Sequence, residues 1–186
     1  MNVKNMDEKY NDIDYSRIKI IRSRRRKKTV QAKEVKGNII VYLPAGLDKN
    51  KEKKYVEELV AKIKKRKKRE KLNNDGLLQK RAQELNKKYF DGKLEFEIKY
   101  VTNQNHRFGS CSPKNKKIRI SDRLADMPQW VRDYVIIHEL AHLIQPNHSK
   151  KFWQLVNRYR YTERAKGYLI AVGMGVDEKI DDKEKD

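Results

Sequence analysis

Cysteine occurs once, as Cys111, in a chain of 186 residues. No intrachain disulfide can form, which excludes the disulfide-stapled secreted scaffolds and fits a reducing compartment. Long apolar runs are also missing. The stretch from Met1 to Ser16 is polar and has no apolar centre of the kind a secretory signal carries. The run Leu169 to Val176 falls well short of the about 20 apolar residues that a membrane helix needs. These absences predict a cytoplasmic protein with no membrane partner. No internal repeat is present, which excludes a solenoid. Acidic residues are few beside basic ones, 26 against 46, and the formal net charge is +20. Such an excess suits contact with nucleic acid, acidic proteins or anionic surfaces; a lysine-rich solvated surface is the bland alternative.

What is present reads as about one domain's worth of chain. Hydrophobic residues make up 37%, enough for a modest core. After a polar, acidic start come three short β-candidates: Ile18 and Ile20, Val30 and Ala32, and the run Ile39 to Leu43 ended by Pro44. Lys36-Gly37-Asn38 supplies a turn, so a small antiparallel meander is expected. Asp48 is placed to cap a helix whose apolar face is Tyr55, Val56, Leu59, Val60 and Ile63. A second helix carries Leu78, Ala82, Leu85 and Tyr89 and stops at Gly92. Glu95 to Val101 alternates as a strand, His106 to Pro113 reads as a loop, and Lys117 to Ser121 alternates again. Pro128 opens a helix reaching about Ile144 that is apolar on most sides. Ser149 can cap a further helix holding Phe152 and Trp153, and a last one covers about Glu163 to Val172.

The chemistry concentrates in His138-Glu139-Leu140-Ala141-His142, an H-E-x-x-H pattern. Positions i and i+4 share a helix face, so both imidazoles can reach one metal ion. Glu139 beside them can take a proton from a metal-activated water during attack on a carbonyl. A catalytic site needs a third protein ligand and an open position. His148 is the candidate, because Gln145-Pro146-Asn147 breaks the helix and lets the chain turn back. Three of the four histidines lie between 138 and 148. Incidental histidines on a solvated helix are the alternative, but Ile136, Ile137, Leu140 and Leu143 would bury these imidazoles, which is costly without a partner. A closed structural site would use a cysteine-rich set, which this chain cannot supply. Zinc, one per chain, is the expected ion for three imidazoles. His106 could contact substrate but reads better as a loop residue. Cys111 could shield the metal but reads better as a small buried thiol. Tyr159, Tyr161 and Tyr168 could serve an oxyanion but read better as packing residues.

The residues Arg107 to Ser112, Lys117 to Ser121, Tyr134 to His142 and Pro146 to Ser149, with Phe152-Trp153, give the chain a family likeness. The sequence resembles the YgjP-like metallopeptidase domain family and is similar to the wider SprT-like zinc peptidases, over about residues 16–175. Leu85 to Leu94 and Arg22 to Val30 extend the likeness. Phe108 stands where many relatives have tryptophan, one large aromatic for another. The resemblance implies an α+β zincin-like fold, a small antiparallel or mixed sheet packed on the H-E-x-x-H helix, and the expected β-meander precedes it at the N-terminus. It implies His138, His142 and His148 as metal ligands and Glu139 as catalytic base. The expected organisation is a flexible tail over 1–15, a basic β-meander and linking helix over 16–72, a zincin-like catalytic domain over 73–175 and a disordered acidic tail over 176–186. The strand Lys117 to Ser121 is expected to edge the cleft and to take an extended peptide.

Residues 16–71 hold 22 Lys or Arg against six Asp or Glu, a net +16 of the chain's +20. Two clusters dominate, residues 22–28 and 62–71, and both are candidate contacts for DNA or RNA. No aromatic residue interleaves either cluster, so base stacking is not indicated. The leading function is a zinc-dependent metallopeptidase acting on peptide or protein substrates, including proteins near nucleic acid. The alternatives are a nucleic-acid-binding protein with a structural or vestigial zinc site, and an amidohydrolase of small substrates.

Overall fold

The computed structural model describes residues 15–104 and 107–172. The chain divides into two compact units, residues 1–68 and 69–186. His106 and both chain tails apart from Tyr15 lie outside the described residues.

The first unit is a three-stranded sheet with a helix on one face. Its strands are β1 (Ile18–Ser23), β2 (Gln31–Val35) and β3 (Asn38–Pro44). Lys36 and Gly37 take φ values of 49° and 81°, the pair of positive angles that closes a two-residue hairpin between β2 and β3. The sheet is not a meander. Its order is β1-β3-β2, and β1 pairs parallel to β3. The link over residues 24–30 has no residue at positive φ, and it arches past the end of β3 rather than folding β1 onto β2. Helix α1 (Lys49–Asn74) begins where Asp48 Oδ1 accepts from the backbone N–H groups of Asn50 and Lys51. Val56 and Val60 of α1 close a small core with Val41 and Leu43 of β3. The unit boundary falls within α1.

The second unit holds helix α2 (Leu77–Tyr89) and strands β4 (Glu97–Val101), β5 (Gly109–Ser112) and β6 (Lys117–Ser121). Helices α3 (Gln129–His142), α4 (Lys150–Val156) and α5 (Thr162–Ala171) follow. The sheet order is β4-β6-β5, with β4 parallel and β5 antiparallel to β6. The architecture is therefore mixed α+β with small sheets. Two expectations fail here. β6 is the central strand, not an edge, because Ile118 and Ile120 are buried and register with Ile98 and Tyr100 of β4. The segment expected as a loop contains β5, which forms the edge instead. Alternation shows that one face of a strand is buried, but it does not say whether a neighbour lies on both sides.

Helix α3 packs against α2, α4, α5, β5 and β6. It is the rigid centre of this unit. The buried Asp133 carboxylate takes two hydrogen bonds from Arg81 of α2, at 2.9 and 2.6 Å, one turn before the H-E-x-x-H segment. α3 therefore enters the site with its axis already tied to α2. Among the described residues no helix is long and apolar enough to cross a membrane.

Candidate metal centre

The three histidines converge. His138 and His142 lie one turn apart on α3, and the chain then breaks at Pro146 and turns back. That turn places His148 immediately before Ser149, whose hydroxyl accepts from Phe152 N–H and starts α4. The three Nε2 atoms stand 3.2 Å (138–142), 3.1 Å (138–148) and 3.2 Å (142–148) apart. Nitrogens bound at about 2.0–2.1 Å to one tetrahedral ion lie about 3.3–3.4 Å from one another, so the triangle has nearly that size. Hydrogen bonding alone does not account for three ring nitrogens aimed at one point, since a neutral imidazole has a single N–H to give.

Electrostatics favour the ligand form of His138 and His142. Burial pushes the pKa of His138 well down, helped by His142, His148 and Lys166. Burial likewise lowers His142. Neutral imidazole is the form that binds a metal. The Nδ1–H of His142 donates to the carbonyl of Gln145 at 3.1 Å, which leaves its Nε2 lone pair for the centre of the triangle. Nδ1 of His138 is buried and has no hydrogen-bond partner among the described residues.

Aromatic rings hold the imidazoles in place. The Phe152 ring lies 4.5 to 4.8 Å from all three and stacks on His142 at 30°. Trp153 stacks on His148 at 5.7 Å and 27°, and Lys166 Nζ sits 4.3 Å from the centre of a Trp153 ring. Fixed walls of this kind keep the rings from rotating away when nothing is bound.

The histidines open into a cavity of about 290 Å³. Its wall includes Glu139, Tyr134, Arg107 and the β5 residues Gly109, Ser110 and Cys111. Glu139 is buried, and its carboxylate packs against Gly109. A Cβ on Gly109 would lie 2.7 Å from Cδ and 2.8 Å from Cγ of Glu139, overlapping the carboxyl group. Cys111 is half-buried; burial first, and then the nearby Glu139, push its thiol up to about 12. It stays protonated at neutral pH and is a poor nucleophile. Together these groups offer three imidazole nitrogen donors and one carboxylate around a single cavity.

The structure thus brings His138, His142, His148, Glu139 and Cys111 together. Tyr159, Tyr161 and Tyr168 do not line the cavity. The Tyr159 hydroxyl donates to the Trp130 carbonyl at 3.0 Å, and Tyr161 and Tyr168 pack their rings on Trp130. Tyr134 and Gly109 are among the lining residues to which the sequence reading gave no role in the site. Tyr134 carries a detectable signal, since it sits four residues before His138 on the same helix face. Gly109 shows its importance only through the packing of Glu139.

Comparison with known proteins follows the same lines. The family model "YgjP-like, metallopeptidase domain" matches residues 10–166. No curated protein matches the chain. A metallopeptidase zymogen, abylysin of Pyrococcus abyssi, is similar at 16% identity and a TM-score of 0.48, over 53% of this chain and 98% of its own. Another, jannalysin of Methanocaldococcus jannaschii, is similar at 19% identity and a TM-score of 0.45, over 51% of this chain and 95% of its own.

Proposed function

This chain belongs to the YgjP-like metallopeptidase domain family, and on that premise we propose that it is a zinc peptidase with His138, His142 and His148 as ligands and Glu139 as general base. The observation that carries this reading is the triangle of Nε2 atoms in a cavity walled by the Glu139 carboxylate. A catalytic-type site has three protein ligands and an open position, and the donor set fits it. One zinc per chain follows. When bound, zinc polarises a carbonyl and lowers the pKa of water in its open position to about 7.

The chain's own residues do the rest. A carboxylate oxygen of Glu139 takes a proton from the attacking water and hands it to the leaving amine. Gly109 leaves room for that carboxylate to lie against β5. Phe152 and Trp153 fix the orientation of the imidazoles. β5 pairs only with β6 among the described residues, and it lines the cavity. An extended substrate can therefore add to the free edge of β5 through backbone hydrogen bonds, which suits a peptide better than a small amide. All the residues given a role here belong to the second unit. The single cysteine supports a reducing, cytoplasmic setting. The charge of the first unit supports substrates held near nucleic acid.

The test is hydrolysis of an unfolded protein by the chelator-stripped chain before and after one equivalent of zinc. Activity that appears with zinc supports the reading. A chain that binds zinc stoichiometrically and still cleaves no peptide or protein bond contradicts it.

A further inference from the structure

The first unit is segregated by charge. Residues 16–68 hold 20 Lys or Arg and five acids. Ile18, Ile20, Ala32, Ile39, Val41 and Leu43 face α1. Alternation then puts Lys19, Ile21, Gln31, Lys33, Ile40 and Tyr42 on the opposite face, which no other element covers among the described residues of this unit. All five acids are on the helix side or on the helix. Glu34 pairs with Lys67, Asp48 caps α1, Glu52 holds Arg22, and Glu57 and Glu58 are in α1. The two basic clusters are thus partly neutralised within the unit, whereas among the described residues the open sheet face carries cations and no carboxylate.

Tyr42 stands on the central strand of that face, opposite Ile21 and Gln31. The Arg26 guanidinium lies 5.3 Å and the Lys33 ammonium 5.4 Å from its ring centre. Arg26 belongs to the basic cluster over residues 22–28, so the fold gives that cluster the aromatic partner its sequence lacks. Gln31 adds a neutral polar side chain beside Arg26, 3.4 Å away. Aromatic ring, stacked guanidinium and surrounding ammonium groups are the combination that binds a flexible polyanion with flat bases.

We propose that the open face of the β1-β3-β2 sheet, with Tyr42 flanked by Arg26 and Lys33 and with Lys19 opposite Ile40 on the same face, binds single-stranded nucleic acid. The cations meet phosphates, and a base stacks on Tyr42 or on the guanidinium above it. The bases of a duplex are already stacked within it, and an acidic peptide or an anionic membrane has no use for the ring. This binding stands apart from the peptidase reading, because its residues belong to the first unit and the residues of the histidine cavity to the second.

The experiment uses the full chain and a labelled oligothymidylate of about 12 nucleotides, followed by anisotropy across a salt series. Tyr42→Leu should weaken binding by about tenfold or more, while Tyr42→Phe keeps it. The exposed pair Lys19→Gln/Lys33→Gln should flatten the log–log salt dependence by about 1.4, at about 0.7 per contact on a single strand. The pair Lys53→Gln/Lys54→Gln on α1 removes equal charge from the helix side and should leave affinity and slope nearly unchanged. Circular dichroism melts confirm that each variant is folded, and the lysine pair keeps the test open if Tyr42→Leu is not. Equal losses in the two lysine pairs would reduce the effect to net charge and overturn the proposal. Equally tight binding of polyglutamate, duplex DNA or phosphatidylserine vesicles would also overturn it.

Discussion

Gly109 lies against the Glu139 carboxylate so closely that a methyl group on Gly109 would overlap Oε1, Cδ and Cγ of Glu139. The edge strand of one sheet therefore sets where the carboxylate of the central helix can rest. Gly109 has no positive φ, so its identity is fixed by this contact and not by backbone strain.

Gly109→Ala should displace Glu139 without touching the histidines. Zinc stoichiometry should match that of the parent chain. Turnover should fall about a hundredfold, the order expected when a catalytic group moves by about 1 Å. Elemental analysis and a peptide-cleavage assay on the same sample check this. Unchanged turnover would show that the carboxylate tolerates the shift.

His138→Ala, His142→Ala and His148→Ala should each lose stoichiometric zinc, since each removes one corner of the Nε2 triangle. Zinc should raise the thermal midpoint of the parent chain and not of these variants, because only a folded state with the whole site binds it tightly. Stoichiometric zinc in His148→Ala would remove the third-ligand assignment.

Much of this site is legible in the sequence. The i, i+4 spacing of His138 and His142 needs only a helix, and the apolar residues around them require that helix to be buried. Pro146 marks the turn that returns His148. The edge strand is not legible, because Gly-Ser-Cys-Ser has no β-branched or aromatic residue and its pairing is set by β6. Nor does alternation in Lys117 to Ser121 reveal two neighbours rather than one. In the first unit, pairing of β1 with β3 depends on which sheet edge buries Ile18 and Ile20 against α1. The meeting of Arg26 with Tyr42 across 16 positions of chain is likewise a product of the fold.

Metal-free protein should lose stability on acidification. The folded state holds the pKa of His138 well below its ordinary value, chiefly through burial. The unfolded chain takes up that proton near pH 6.5, so below this it binds more protons than the folded chain and stability falls with pH. The thermal midpoint of the stripped protein should be lower at about pH 5.5 than at about pH 7.5. His138→Leu should reduce that difference, and an unchanged difference would assign the effect to other groups.

The Arg81–Asp133 pair should matter for the stability of α3. Arg81→Met leaves the buried Asp133 carboxylate without its two-pronged partner, at a cost of about 2 kcal/mol after allowing for the partial exposure of Arg81. Urea denaturation measures this. A change near zero would mean that water replaces the guanidinium without loss.

The central claim is that Glu139 moves the proton in peptide hydrolysis while three histidines hold the metal. Glu139→Gln keeps the size of the side chain and removes its basicity. The measurement is zinc content and cleavage of an unfolded protein, made side by side on the parent chain and this variant. The account predicts one zinc per chain in both, with cleavage by the parent and its loss in the variant. Equal cleavage by the two zinc-loaded proteins would contradict it.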